Sequence, residues 1–181
     1  MFILLTGPVH TGKTTACWKA IPRIRAAGFK VAGFISPPLL DALGRKVGIE
    51  MMDLMSDQHQ TFARLAEPGE TATVGAYLLS DEAVEWARRT LAAALLANAD
   101  WIVVDEIGPL ELHADGGFAF ALEPLADPLR IPNAIVIVRD TLANELAERL
   151  GRADSVVVRL SEQNRSRIPA QLVKLVRSAR H

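Results

Sequence analysis

The chain has 181 residues, the length of a single domain that can bury a substantial apolar core. Half of its residues are apolar, 23% are charged and the formal net charge is −1, a composition typical of soluble globular proteins. This charge balance excludes the strongly basic surface that binds nucleic acid or an anionic membrane, so we expect neither as a partner.

The cysteine content indicates a reducing compartment. Cys17 is the single cysteine, so no internal disulfide can form, and the sequence has no Cys and His pairs at zinc-binding spacing. The opening "MFILL" is apolar, but it has no basic flank and leads directly into a glycine loop. We therefore expect a buried first strand rather than a signal peptide or membrane span, and a cytoplasmic protein.

Short apolar runs alternate with helical patterns along the chain. The predicted strands are "FILLT", "KVAGFIS", "WIVVD", "AIVIV" and "SVVVRL", and the predicted helices cover 13–27, 81–98, 117–127, 142–150 and the basic C-terminal segment. Apolar strands separated by helices are typical of a parallel sheet covered on both faces. The sequence therefore predicts one α/β domain over residues 1–181, with three layers.

The segment between the first two helices has a different pattern. Two runs with strand character, "KVAGFIS" and "RKVGIEMMDLM", flank the turn-prone "PPLLDALG", and "HQTFARL" alternates apolar with polar residues. We expect an antiparallel hairpin insertion at the edge of the sheet, covering about 30–64. Two prolines, Pro22 and Pro169, fall in predicted helices, and each should kink its helix or mark a late start.

Residues 7–15, "GPVHTGKTT", match the phosphate-loop pattern G-x-x-x-x-G-K-[ST] between a predicted strand and a predicted helix. Gly7 and Gly12 allow unusual backbone angles. Residues 8–14 surround an anion site at a helix N-terminus, and all of them except Pro8 can direct a backbone N–H into it. These residues are Pro8, Val9, His10, Thr11, Gly12, Lys13 and Thr14. Lys13 is predicted to contact the β- and γ-phosphates, Thr14 to ligate Mg²⁺, and Thr15 to lie near the α-phosphate. A nucleoside triphosphate is the expected ligand.

His10 occupies a loop position that small residues usually fill. An imidazole can act as an acid or a base near neutral pH. However, side chains at this position of the loop usually point away from the phosphates, and a catalytic histidine needs a positioned partner. We therefore expect a spectator, with catalysis as the alternative.

The predicted strand "WIVVD" ends in Asp105, and Glu106 follows it directly. We expect this strand to lie beside the strand of the phosphate loop, where Asp105 can hold Mg²⁺ and Glu106 can orient a water that attacks the γ-phosphate. The alternative is a solvated acidic strand end.

Two further charged residues have open roles. Glu111 either points back toward the site or caps a neighbouring element. Arg139 ends the strand "AIVIV" and either stabilises charge on the γ-phosphate or forms a salt bridge with Asp140 or another acid.

With these motifs, the chain resembles the small nucleoside-triphosphatases found in thermophiles and, as a cancer-related form, in humans. The similar stretches are "TGPVHTGKTT", "GFISP", "VGAYLL", "DEIGPLEL" and "SEQNR", and "DEIG" with its trailing "EL" is the most specific. The resemblance implies a RecA-like fold and slow, Mg²⁺-dependent hydrolysis of ATP, GTP and other nucleoside triphosphates with little base selectivity. It assigns nucleotide binding to residues 7–15, Asp105, Glu106, Gly108, Asn164 and Arg165, the last two near the base.

Two alternatives to hydrolysis are compatible with the same motifs. A nucleotide or small-molecule kinase would replace the water by a second substrate, and the insertion, with Arg45 and Arg64, is the candidate lid. A nucleotide-gated switch would instead use slow hydrolysis to time binding to a protein partner.

Overall fold

The structure is a computed structural model that describes residues 1–73 and 75–179. Val74 of "VGAYLL" and the last two residues of the basic segment, Arg180 and His181, lie outside the described residues. The described strands are β1 (Phe2–Thr6), β2 (Val31–Ile35), β3 (Pro38–Leu40), β4 (Lys46–Asp53), β5 (His59–Leu65), β6 (Tyr77–Leu79), β7 (Trp101–Ile107), β8 (Ala134–Val138) and β9 (Ser155–Arg159). The α-helices are α1 (Lys13–Ala26), α2 (Asp81–Leu96), α3 (Pro109–His113), α4 (Leu122–Ala126), α5 (Ala143–Leu150) and α6 (Ile168–Ser178).

The strands form one sheet in the order β6-β5-β4-β2-β7-β8-β1-β9, with β3 paired to β4. The strands β2, β7, β8, β1 and β9 pair in parallel, so their carboxyl ends meet at one edge. The predicted mainly parallel α/β fold is therefore confirmed. The phosphate loop follows β1 and Arg139 follows β8 at this edge, and the acidic pair lies near the carboxyl end of β7.

The predicted neighbour of the phosphate-loop strand is wrong. We expected the strand that ends in Asp105 to lie beside β1, but β8 pairs with both β1 and β7 and separates them. All three strands contain a run of at least four apolar residues, so hydrophobic pattern alone cannot assign their order. One consequence is that Arg139, at the end of β8, lies between the loop and the acidic pair.

The antiparallel part of the sheet begins and ends later than predicted. Residues 31–35 form β2, which pairs in parallel with β7 and belongs to the central sheet. Strands β3 to β6, residues 38–79, form the antiparallel edge, in which β4 pairs with β2, β3 and β5, and β5 pairs with β6. The insertion is therefore a four-stranded edge rather than a hairpin covering about 30–64.

Apolar side chains of the strands alternate between two cores, one on each face of the sheet. Phe2 and Leu4 of β1 pack in a core with α2, α4 and α5, whereas Ile3 and Leu5 pack in a core with α1 and α6. This arrangement is the predicted set of three layers. Cys17 is buried in the second core, where burial and the nearby Asp105 carboxyl raise the pKa of its thiol. It is therefore an unreactive core residue.

Four of the five predicted helices are present, and the helix at 117–127 is replaced by a short 3₁₀ turn and α4. Asp127 is extended because it precedes Pro128, and α4 ends there. Pro169 lies in the first turn of α6, as a late start requires, whereas Pro22 lies inside the uninterrupted α1. None of the described helices is both long and apolar enough to cross a membrane.

Candidate functional site

The phosphate loop connects β1 to α1 at the carboxyl edge of the sheet. Gly12, with φ +96°, immediately precedes Lys13, the first residue of α1. Gly7 has φ +152°, and a side chain there would overlap the carbonyl oxygen of Leu160. Both glycines are therefore required by the backbone path, and the positive end of α1 faces the loop.

The Lys13 side chain is buried and lies inside the loop. Its Nζ donates to the carbonyl oxygens of Gly7 at 2.9 Å and Pro8 at 3.0 Å. Thr11 supports this turn, because its hydroxyl donates to the same Pro8 oxygen at 2.7 Å. The ammonium group is therefore held where a phosphate bound in the loop would meet it.

His10 is the non-glycine residue of the loop with a left-handed backbone, with φ +65°. Its side chain is exposed at the mouth of the site, and it forms no hydrogen bond or ion pair with the residues that the structure describes. Without a partner to set its tautomer, the imidazole lacks the arrangement expected of a general base. The geometry favours the spectator role.

Asp105 ends the apolar part of β7 and is fully buried. Its Oδ2 accepts a hydrogen bond from the Ser36 amide at 3.1 Å, and the Ser36 hydroxyl donates to the Asp105 backbone carbonyl. Its Oδ1 has no hydrogen-bond partner among the described residues. Burial raises the pKa of this carboxyl to about 7, while the Ser36 amide, Thr14 and Lys13 oppose the rise.

This carboxyl fits the proposed Mg²⁺ ligand. A buried oxygen without a partner is costly, and a cation would satisfy it. Thr14 lowers the pKa of the same carboxyl, and both residues line one cavity, so a hydroxyl and a carboxylate lie near each other at the loop. No cluster of three or more metal-binding side chains occurs within the described residues. Mg²⁺ commonly takes one or two protein oxygens and completes its shell with phosphate and water, so this sparse set suits it.

Glu106 and Arg139 face each other across the ends of β7 and β8. Arg139 Nε donates to Glu106 Oε1 at 3.1 Å, and both side chains are partly exposed. The acid that pairs with Arg139 is therefore Glu106 and not Asp140, whose carboxylate accepts from the Thr141 amide. Both groups line the same cavity as Lys13.

Glu111 caps a neighbouring element. Its Oε2 accepts from the Gly108 amide at 2.7 Å, at the start of α3, and its Oε1 accepts from the Phe118 amide at 3.2 Å. Burial raises the pKa of this carboxyl against these two bonds. Gly117 is required beside it, because a side chain there would overlap Glu111 Oε1. Glu111 thus fixes the loop that follows "DEIG".

Asn164 and Arg165 follow β9, which neighbours β1, so they share the edge of the phosphate loop. Asn164 Oδ1 accepts from the Ser161 amide at 2.8 Å and its Nδ2 donates to the Arg159 carbonyl at 2.9 Å. Its polar atoms therefore stabilise this turn. Arg165 is exposed, and neither residue lines the cavity described below.

A cavity of about 560 Å³ joins the phosphate loop to the antiparallel edge. Its polar half contains residues 12–15, Asp105, Glu106 and Arg139, and its apolar half contains Ile49, Phe62, Tyr77, Leu79 and Phe118. Ser36, which also lines it, was missed in the sequence, although its position directly after an apolar strand was a usable signal. The apolar half carried no signal, because its residues resemble ordinary strand residues.

The chain is similar to known proteins over nearly its whole length. Residues 2–173 match the model of the family described as NTPase. Nucleoside-triphosphatase THEP1 of Thermofilum pendens is 29% identical over 97% of this chain and 94% of the relative. The crystal structure of THEP1 from Aquifex aeolicus has a TM-score of 0.75 and 23% identity, covering 97% of this chain and 99% of that chain, and therefore supports the fold alone.

The solution structure of a human cancer-related nucleoside triphosphatase has a TM-score of 0.71 and 26% identity, over 99% of both chains. Family model, relative and folds therefore agree over nearly the whole length. The match spans the phosphate loop, the acidic pair and the antiparallel edge alike. This chain belongs to the NTPase family.

Proposed function

We propose that this protein hydrolyses the γ-phosphate of ATP, GTP and other nucleoside triphosphates in a slow reaction that depends on Mg²⁺. The observation that carries the proposal is the buried Asp105 carboxyl, whose Oδ1 has no hydrogen-bond partner among the described residues, at the mouth of the phosphate loop. The names of the relatives, nucleoside-triphosphatases, support the same reaction.

In this mechanism the loop amides and Lys13 hold the β- and γ-phosphates. Mg²⁺, held by Thr14 and Asp105, would supply positive charge to the phosphate oxygens. Glu106 orients a water and accepts its proton as the water oxygen attacks the γ-phosphorus. The bond from the γ-phosphorus to the bridging oxygen breaks, and the nucleoside diphosphate leaves with the electron pair.

Low base selectivity is part of the proposal. The polar atoms of Asn164 are used within its own turn, and Arg165 is exposed. A base near this turn therefore meets few groups that could distinguish purines from pyrimidines.

Phosphate release from ATP, GTP, CTP and UTP, with Mg²⁺ or with EDTA, tests the reaction. Release should require Mg²⁺ and differ little among the four. Glu106→Gln should retain nucleotide binding and lose turnover by about ten-fold or more. Glu148→Gln, on the exposed side of α5, is the matched control. Full turnover in Glu106→Gln would contradict the role of Glu106, and release without Mg²⁺ would contradict the metal site.

A further inference from the structure

The cavity extends beyond the phosphate loop. Its volume of about 560 Å³ reaches from Lys13 to Phe62 and Tyr77 on the antiparallel strands. The phosphates occupy only the polar half, because Lys13, Thr14 and Asp105 all lie there. The apolar half remains beyond the position where the γ-phosphate would meet Glu106.

Strand order gives the direction of this apolar half. From β1, the carboxyl edge runs through β8 and β7 to β2 and then to the antiparallel strands β4, β5 and β6. The turn with Asn164 and Arg165 lies on the opposite side of β1, after β9. A ligand on the antiparallel strands would therefore approach the γ-phosphate from the side of Glu106, opposite to a base near the Asn164 turn.

Three aromatic residues form one wall of the apolar half, of which Tyr77 is partly exposed and Phe62 and Phe118 are buried. The rings of Phe62 and Phe118 stack with centroids 4.7 Å apart and an angle of 25° between planes. Tyr77 lines the same wall, and Lys46 Nζ lies 5.2 Å from the centre of its ring. Such a wall, with a few polar groups, is typical of sites that bind a ring-bearing small molecule.

Lys46 is the cation of the antiparallel edge that faces the cavity. Arg45 pairs with Asp41 and Arg64 pairs with Glu70, and neither of these arginines lines the cavity. Lys46 is half-buried and forms no ion pair with the part of the chain that the structure describes. Its ammonium group is therefore available for a polar group on a bound ring.

We propose that the apolar half of the cavity is an acceptor subsite, which binds a small molecule that carries a flat aromatic ring and a hydroxyl group. The proposal rests on the nucleoside-triphosphate site described above and replaces the attacking water by this hydroxyl. The acceptor oxygen bonds to the γ-phosphorus as the bond to the bridging oxygen breaks. The nucleoside diphosphate leaves with the electron pair, Glu106 takes the hydroxyl proton, and a phosphate monoester forms.

Transfer of label from [γ-³²P]ATP with Mg²⁺ tests the subsite. The acceptors are adenosine, thymidine, pyridoxine and 2-naphthalenemethanol, and the controls without a ring are glycerol and glucose. At least one ring alcohol should become labelled faster than inorganic phosphate is released, and the controls should not. Label found only in inorganic phosphate, with no ring alcohol bound in equilibrium dialysis, would overturn the subsite while the hydrolase stands. Loss of both products would instead overturn the proposed function.

Variants of Tyr77 distinguish a wall that binds the acceptor from a wall that binds the base of ATP. Tyr77→Ala should raise the KM of the labelled alcohol by about ten-fold, whereas Tyr77→Phe, which keeps the ring, should have a smaller effect. Leu43→Ala, in the exposed turn between β3 and β4, is the control outside the cavity. If Tyr77→Ala raises the KM of ATP as much as that of the alcohol, the wall holds the ATP base and the proposal fails. Thermal unfolding confirms that each variant is folded, and the wild-type labelling result stands independently.

Discussion

Arg139 Nε donates a hydrogen bond to Glu106 Oε1 at 3.1 Å, and this contact joins the ends of β8 and β7 at the mouth of the cavity. A pair of partly exposed side chains contributes at most about 1 kcal/mol. The charge of a γ-phosphate can therefore draw Arg139 away from Glu106. The salt bridge and the role in phosphate transfer, which the sequence leaves as alternatives, are compatible as two positions of one side chain.

Replacing Arg139 should therefore reduce turnover more than stability. We expect Arg139→Ala to lower kcat by about 100-fold, because the developing γ-phosphate charge loses a donor, and Arg139→Lys to recover part of this loss. The melting temperature should change little. Steady-state phosphate release and thermal unfolding measure both. Arg130→Ala removes a similar exposed ion pair, with Glu123, and is the control; an equal loss of kcat in both variants would count against the role of Arg139.

Gly7 and Gly12 should differ in their tolerance of a side chain. Gly7→Ala brings a methyl group against the backbone carbonyl of Leu160, which cannot move independently of β9. At Gly12 no atom of the described residues lies within 4 Å of the added carbon, so only the left-handed backbone is strained, by about 1–2 kcal/mol. Thermal unfolding should show the larger destabilisation for Gly7→Ala. Equal melting temperatures would contradict the close packing of the loop against Leu160.

How much of the site the sequence predicts depends on the kind of signal. The phosphate loop is encoded locally, because two glycines, a lysine and a threonine at fixed spacing define it between a strand and a helix. The position of β8 between β1 and β7 is not encoded this way, since three strands with similar apolar runs can pair in several orders. The wall of Phe62, Tyr77 and Phe118 comes from segments far apart in sequence, so only the fold brings its residues together.

The stability of the metal-free protein should fall as the pH rises from about 4 to 7. The Asp105 carboxyl has a pKa near 7 in the fold, against 3.8 for an exposed aspartate, so the folded state holds its proton over this range and the unfolded state does not. Each pKa unit corresponds to about 1.4 kcal/mol, so the free energy of unfolding should be lower above pH 7 than at pH 4 by at most roughly 4 kcal/mol.

Asp105→Asn isolates this effect, because it keeps an oxygen for the Ser36 amide and cannot ionise. Its stability advantage over the wild type, measured by urea unfolding in EDTA, should be small at pH 4 and largest above pH 7. The same variant should lose Mg²⁺-dependent phosphate release. An advantage that is independent of pH would show that the Asp105 carboxyl titrates normally.

Arg152 should be required for folding but not for chemistry. Its buried guanidinium group donates to the carbonyls of Leu125, Ile131 and Pro132 and forms two bonds with Asp154, at the edge of the sheet opposite to the cavity. Arg152→Ala removes the buried donor of the Leu125 and Ile131 carbonyls, whereas the Pro132 carbonyl and Asp154 keep their contacts with the N-terminal ammonium group. The variant should lower the free energy of unfolding by about 3–5 kcal/mol. Urea unfolding measures the loss, and the kcat of the folded fraction should stay near the wild-type value. A loss of about 1 kcal/mol or less, the contribution of an exposed ion pair, would contradict this role.

His10 should contribute to the loop through its backbone rather than its imidazole. The side chain is exposed and has no bonding partner among the described residues, whereas its φ of +65° requires a residue that tolerates the left-handed region. We therefore expect His10→Asn, which suits this backbone, to keep kcat within about two-fold, and His10→Val to lower the melting temperature, because β-branched residues disfavour positive φ. Phosphate release and thermal unfolding distinguish the two effects. If His10→Asn instead lost turnover while it still bound nucleotide, the imidazole would belong to the mechanism.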